Sequence, residues 1–179
     1  MCRVRINIDV KFMTMSTFGK LLTLIGLVFT AAFTTSRDQE IPFPEGYLQW
    51  QHIKSDILKR GQPGFDHYGG IHHIYANALA MGGYKTGVFP NGSYLVFDVF
   101  EAIGTDTVMT EGRRRIVDVM IKDSAKYAST GGWGFEEFQG DSRTERNLKG
   151  NVAECYNCHA YRKTHDFVFS AFPPSPSRP

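Results

Sequence analysis

Hydrophobic and polar positions alternate over several short stretches, and glycine- and proline-rich turns separate them. Ser93–Glu101 is rich in β-branched and aromatic residues and follows the strong turn signal Phe89-Pro90-Asn91-Gly92, so it predicts a strand. Arg113–Ile121 predicts a second strand, with Arg115, Val117, Val119 and Ile121 alternating against Arg114, Ile116, Asp118 and Met120. Gly70–Tyr75 and Gly131–Phe138 read as further strands, the latter with Trp133 and Phe135 on one face. Asp166–Phe172 reads as a closing strand. Helical signals are weaker. Tyr47 to about Lys59 reads as a first helix, with Leu48, Ile53 and Ile57 roughly on one side and Gly61-Gln62-Pro63-Gly64 breaking it. Asn77–Met81 reads as a short helix closed by Gly82-Gly83, Asp123–Tyr127 as a helical turn, and Asn151–Lys163 as a short helix near the C-terminus. The sum is an α+β domain: an antiparallel β-sheet with short flanking helices. This excludes an all-helical fold.

The chain starts differently. Arg3, Arg5, Lys11 and Lys20 stand against Asp9 alone, and the apolar run Leu21–Phe33 with small residues after it follows. A basic start, a short apolar stretch and small residues describe a secretory signal peptide. The run is shorter than the roughly 20 residues of a membrane span; an uncleaved anchor is the alternative. Met13 or Met15 is an alternative start. The expected division is residues 1–36 as signal, 37–172 as one domain and 173–179 as a flexible tail, with periplasmic location and no stable membrane insertion after signal removal. Without residues 1–36 the chain keeps 16 basic against 17 acidic residues. No basic stripe remains to suggest nucleic acid. Cys2 also leaves, so no structural disulfide is expected.

The two remaining cysteines lie in Cys155-Tyr156-Asn157-Cys158-His159. C-x-x-C-H is the attachment signature of haem c. Two thiols add to one porphyrin edge, and the next imidazole is the axial ligand of the iron. So Cys155 and Cys158 bind the cofactor and His159 the metal. The alternatives are a redox C-x-x-C pair and half a zinc site, but no second Cys/His pair completes a four-ligand zinc centre.

Several blocks add to this run. They are Gly46-Tyr47-x-x-Trp50, Ile74-Tyr75-Ala76-Asn77, Tyr84-Lys85-Thr86-Gly87-x-Phe89-Pro90-Asn91-Gly92-Ser93, Ile121-Lys122-Asp123-Ser124, Gly132-Trp133-Gly134-Phe135 and Asp166-x-Val168-Phe169-x-x-Phe172. In this order, from about Pro44 to Phe172, the chain resembles the cytochrome P-460 family, and within it the cytochrome c′-beta branch. The resemblance implies a β-rich homodimer with one haem c per subunit and an iron open on its distal side. Family members that oxidise hydroxylamine carry a porphyrin-linked lysine after the Asn-Gly-type turn, where this chain has Phe97. An arginine before Tyr75 appears as His72, and a pocket glutamate appears as Asp118.

The residues alone leave these positions open. Phe97 shares a face with Leu95 and Val99, so burial is expected, as a distal cap or as plain core. An apolar cap gives bound O₂ no hydrogen-bond donor, while NO and CO need little help. His72 reads as a sixth ligand, a donor to bound gas or a satisfied core histidine. His52, His67, His73, His165, Met81, Met109 and Met120 are the other sixth-ligand candidates. One of Arg113-Arg114-Arg115 holds a haem propionate, or the triplet is a solvated strand start. Asp118 handles protons or is an edge or dimer-contact carboxylate. Three functions follow: a protein binding NO- or CO-type gases, an oxidoreductase acting on hydroxylamine or NO, and an electron carrier with a redox partner.

Overall fold

The computed structural model describes residues 40–105 and 107–173. The expected signal segment and nearly all of the expected tail lie outside them. Five antiparallel strands form one sheet in sequence order: β1 (Gln51–Leu58), β2 (Gly70–Ala76), β3 (Tyr94–Gly104), β4 (Met109–Lys122) and β5 (Trp133–Gln139). Three helices flank it: α1 (Phe65–Tyr68), α2 (Ala78–Thr86) and α3 (Ala153–Ala160). This is the α+β architecture expected from the alternation. Among the described residues no helix is long and apolar enough to cross a membrane.

The sheet separates two cores. On one face Ala76, Leu95, Met120 and Phe135 pack with Ile53, Trp133, Phe167 and Val168, and α3 closes over them through Val152, Cys155, Tyr156 and Ala160. On the other face Val96, Val117, Val119 and Phe138 pack under Ile41 and Tyr47. There the fully buried Asp98 accepts Tyr47 Oη–H at 2.7 Å and Arg114 Nε–H at 2.7 Å.

Four expectations are corrected. Tyr47–Lys59 is no helix: a 3-10 turn spans Tyr47–Gln49, and β1 follows. Leu48 and Ile57 are exposed and only Ile53 is buried, so the apparent apolar stripe has nothing to bury against. An edge strand needs only one inward residue, and β2 satisfies its backbone. The helix at Asn77 does not stop at Gly82-Gly83 but runs to Thr86, ending where Gly87 takes a left-handed φ of 82°. Asn77 caps it by accepting Ala80 N–H at 2.9 Å. Gly83 lies inside the helix because a Cβ there would meet the Phe89 ring at 2.3 Å. Asp166–Phe172 forms no strand, because Asp166 and Phe167 adopt φ of 48° and 65° and cannot enter a ladder. Finally, the simple alternation of Arg113–Ile121 is broken by a bulge, where Val99 pairs with Ile116 but Phe100 with Arg114. The bulge turns Arg114 toward Asp98, with its guanidinium 4.6 Å from the Phe100 ring centre.

Asp98→Ala leaves the mostly buried Arg114 guanidinium without its carboxylate. A loss of about 3–5 kcal/mol in urea unfolding is expected, because a buried charge loses its partner. A loss below about 1 kcal/mol would show that Asp141, the other carboxylate on Arg114, carries the charge alone.

Candidate functional site

Cys155, Cys158 and His159 occupy positions i, i+3 and i+4 of α3, one stripe of the helix. No residue of α3 is fully buried, although the helix packs on the core. Both cysteines are free. Burial, with the Asp118 and Glu137 carboxyls nearby, pushes the Cys155 thiol up to about 12. A thiol held protonated is a poor redox nucleophile and a poor thiolate ligand. Among the described residues no group of three or more His, Cys, Asp or Glu is arranged to hold a metal ion. The geometry therefore speaks against the zinc and redox-pair alternatives.

His159 is oriented from behind. Its Nδ1–H donates to the Phe167 carbonyl at 2.7 Å, which leaves the Nε2 lone pair free. Burial lowers its pKa, so the ring is neutral and suited to a metal. The Phe135 and Phe169 rings flank it at 5.2 and 5.0 Å. Phe167 is held in its unusual conformation by Asp166. The Asp166 carboxylate accepts Lys122 Nζ at 2.6 Å and Phe89 N–H at 2.8 Å, and its backbone carbonyl accepts Trp133 Nε1–H at 2.8 Å. Lys122 also donates to Gly131 O at 3.1 Å. This clamp was not anticipated from the sequence; its signal was an unexplained charge beside the aromatic C-terminal run.

The sheet in front of α3 is only partly covered. Lys54, Ile74, Phe97, Asp118 and Glu137 lie directly opposite one another on successive strands and share one face. Ala76, Leu95, Met120 and Phe135 beside this row are buried under α3, and His72, Val99 and Ile116 on its other side are buried as well. Ile74, Phe97 and Asp118 between them stay half-buried. The expected burial of Phe97 is thus incomplete, although the His72 ring meets its ring at 4.7 Å. Tyr68 of α1 bounds the trough at 6.1 Å from the Phe97 ring, and burial, with smaller contributions from Asp118, Cys155, Glu137 and Cys158, pushes the pKa of its phenol up. An aromatic-floored trough, two adjacent thiols and a neutral imidazole with a free lone pair fit a covalently held haem.

Inside the trough sits a carboxyl pair. Asp118 hydrogen-bonds Glu137, and burial together with the Glu137 charge raises its pKa well above 3.8, so a proton lies between them. Glu137 is buried and also binds His67 Nε2 at 2.6 Å and Asn147 Nδ2–H at 2.6 Å. Asp118 is therefore no edge carboxylate. Glu137 and its partners emerge only from strand register, which a single strand pattern cannot reveal.

The remaining candidates lie elsewhere or are occupied. His72 faces inward, 4.7 Å from the Phe97 ring, and its Nε2–H donates to the Tyr68 carbonyl. Burial lowers its pKa, the signature of a satisfied core histidine. Met120 packs in the core, and His165 is exposed beside Thr164. His52 and His73 sit on the opposite sheet face. Arg113 pairs with exposed Glu101, Arg114 with Asp98, and Arg115 donates to the Gly69 and Asp66 carbonyls. Lys85 is exposed on α2. Lys54 reaches the rim of the trough, half-exposed and paired with Asp56 at 2.8 Å.

Asp118 holds a proton in the folded state that the unfolded chain has released above pH 3.8. Its contribution to stability therefore falls as pH rises from the ordinary carboxylate range toward its raised value. Urea midpoints across that window should fall less steeply in Asp118→Asn. The lowered pKa values of His72 and His159 act in both proteins and cancel in the comparison. Equal slopes would mean that Asp118 is ionised in the folded state.

A search of curated proteins found no match. The family model described as Cytochrome P460 matches residues 44–170. That range runs from the turn ahead of β1, through the sheet and the trough, to the segment that braces His159. With a C-x-x-C-H helix packed on a partly covered sheet face, and with this match over most of its length, the chain belongs to the cytochrome P460 family.

Proposed function

We propose that this protein is an exported, periplasmic mono-haem c-type cytochrome that binds NO- and CO-type gases on the open side of a five-coordinate iron. Cys155 and Cys158 form the thioethers, and His159 supplies the axial nitrogen. The observation that carries the reading is Phe97, half-buried at the centre of the trough. When bound, the haem supplies a ferrous iron with one vacant position. Phe97 offers that position no hydrogen bond, and His72 spends its Nε2–H on the Tyr68 carbonyl. This disfavours O₂ relative to NO and CO. Phe97 also stands where the family resemblance places a cross-linking lysine in hydroxylamine oxidisers, so the chain reads as a c′-beta-like member. A homodimer is part of this proposal, and a redox partner protein belongs to its electron-transfer variant.

A second reading is supported by the carboxyl pair. A proton held between Asp118 and Glu137, beside Phe97, is a ready acid or base for an oxidoreductase acting on hydroxylamine or NO. A simple electron carrier has less support, because His72 and Met120 are both engaged elsewhere.

The absorption spectrum of the ferrous holoprotein tests these readings. A high-spin five-coordinate haem c spectrum that shifts on adding CO supports gas binding. A strongly red-shifted Soret band would reveal a porphyrin cross-link and overturn the assignment of Phe97. Sharp low-spin bands indifferent to CO would establish a carrier.

Phe97→Ala should accelerate CO association by about tenfold, corresponding to about 1.4 kcal/mol of steric barrier. Unchanged stopped-flow rates would remove Phe97 from the distal face.

A further inference from the structure

On the sheet face away from the trough, two histidines converge on one hydroxyl. His52 Nε2 and His73 Nδ1 each lie 2.8 Å from Ser55 Oγ. The other nitrogen of His73, Nε2, lies 2.8 Å from Glu111 Oε1. Glu111 thus holds His73 in the tautomer whose Nδ1 lone pair faces Ser55, the carboxylate–imidazole arrangement that orients metal ligands. The Tyr75 ring backs both imidazoles, at 5.7 Å from His52 and 6.4 Å from His73, and Phe100 backs His73 at 5.8 Å.

This convergence depends on a backbone irregularity. Residues three apart in a regular strand face opposite sides. Between His52 and Lys54 the register of β1 shifts, so that His52 opposes Tyr75 while Lys54 opposes Ile74. The bulge sends Ile53 into the trough-side core and brings His52 onto the face of Ser55 and His73. Bulges on edge strands commonly re-aim one side chain.

We propose that His52 and His73 form a binding site for a borderline divalent transition-metal ion, with Zn²⁺ or Cu²⁺ as the chemical class, independent of the haem. The ring centres stand 6.1 Å apart. Two imidazoles on one tetrahedral ion, with metal–nitrogen bonds of about 2.0–2.1 Å, bring their ring centres to roughly 5 Å. Side-chain rotation closes that gap. The described residues offer no third His, Cys, Asp or Glu as a ligand. Ser55 Oγ and water complete the sphere, and Glu111 acts from behind His73. The site bridges edge strand β1 to β2, so a bound ion staples the edge of the sheet.

Zn²⁺ titrated into the ferric holoprotein by calorimetry tests the site. One saturable site per chain with micromolar affinity is expected, with a rise in thermal midpoint. His52→Ala and His73→Ala should each weaken binding at least tenfold. Glu111→Gln should weaken it by a smaller factor, because it only orients His73. Ser55→Ala should weaken binding by a smaller factor, because water can take the place of its hydroxyl, and exposed His165→Ala should not change it. No saturable binding, or binding that survives His52→Ala and His73→Ala, would overturn the proposal. Haem spectra and circular dichroism of each variant confirm that its fold is intact.

Discussion

The hydrogen bond from His159 Nδ1–H to the Phe167 carbonyl governs the site. A short helix alone leaves an imidazole free to rotate and to choose either tautomer. The carbonyl fixes both, so the Nε2 lone pair is the one presented. That carbonyl is in place only because Asp166 and Phe167 both adopt positive φ, a conformation that costs L-residues of order 1–3 kcal/mol each. Lys122 and the Phe89 and Trp133 N–H groups, all bonded to Asp166, over-determine that conformation. Elements distant in sequence thus converge on one imidazole.

The trough follows from the same economy. α3 covers one row of the sheet face, and the segment around α1 lies toward another. The row between them is left half-buried, and it holds Ile74, Phe97 and Asp118. A self-sufficient domain would cover such a row with its own side chains. A haem held there, as proposed, would lay its apolar surface on this row and complete the core on that side.

Much of this was legible along the chain, and what was hidden has physical reasons. The alternating strands β3 and β4, the Asn-Gly turn and the C-x-x-C-H helix are local patterns, and each appears where its pattern lies. β1 was hidden because an edge strand with one buried residue carries almost no periodic signal. The extent of α2 was hidden because Gly83 reads as a helix stop, whereas tertiary packing against Phe89 requires it inside the helix. The Asp166–Phe172 segment has the composition of a strand, but its first residues brace the His159 imidazole. Within the site, the cysteines, His159, Phe97 and Asp118 stand in short motifs or strands. Glu137, Tyr68 and Lys122 enter only through register and long-range contact, and His67, a ligand candidate in the sequence, instead meets Glu137.

Asp98 and Asp118 show how one sheet can hold two carboxyls, one buried and one half-buried, with opposite kinds of partner. They lie on adjacent strands and on opposite faces. Asp98 meets Arg114 and the Tyr47 hydroxyl, so its charge is matched and its surroundings are rigid. The neighbouring Tyr47 phenol is driven upward by burial and by the Asp98 charge, which keeps it a donor. Asp118 instead meets Glu137, and among the described residues no cation pairs with it. Two carboxylates side by side cannot both ionise cheaply, so a proton stays between them. His67, half-exposed on α1, touches Glu137 at 2.6 Å and so links the pair to the surface. The face that holds Asp98 neutralises charge with a guanidinium, whereas the face proposed to receive the cofactor neutralises it with a proton. A guanidinium cannot leave its carboxylate without strain, and a proton can. The trough therefore keeps a transferable charge next to its apolar floor, which a purely structural carboxylate would not provide.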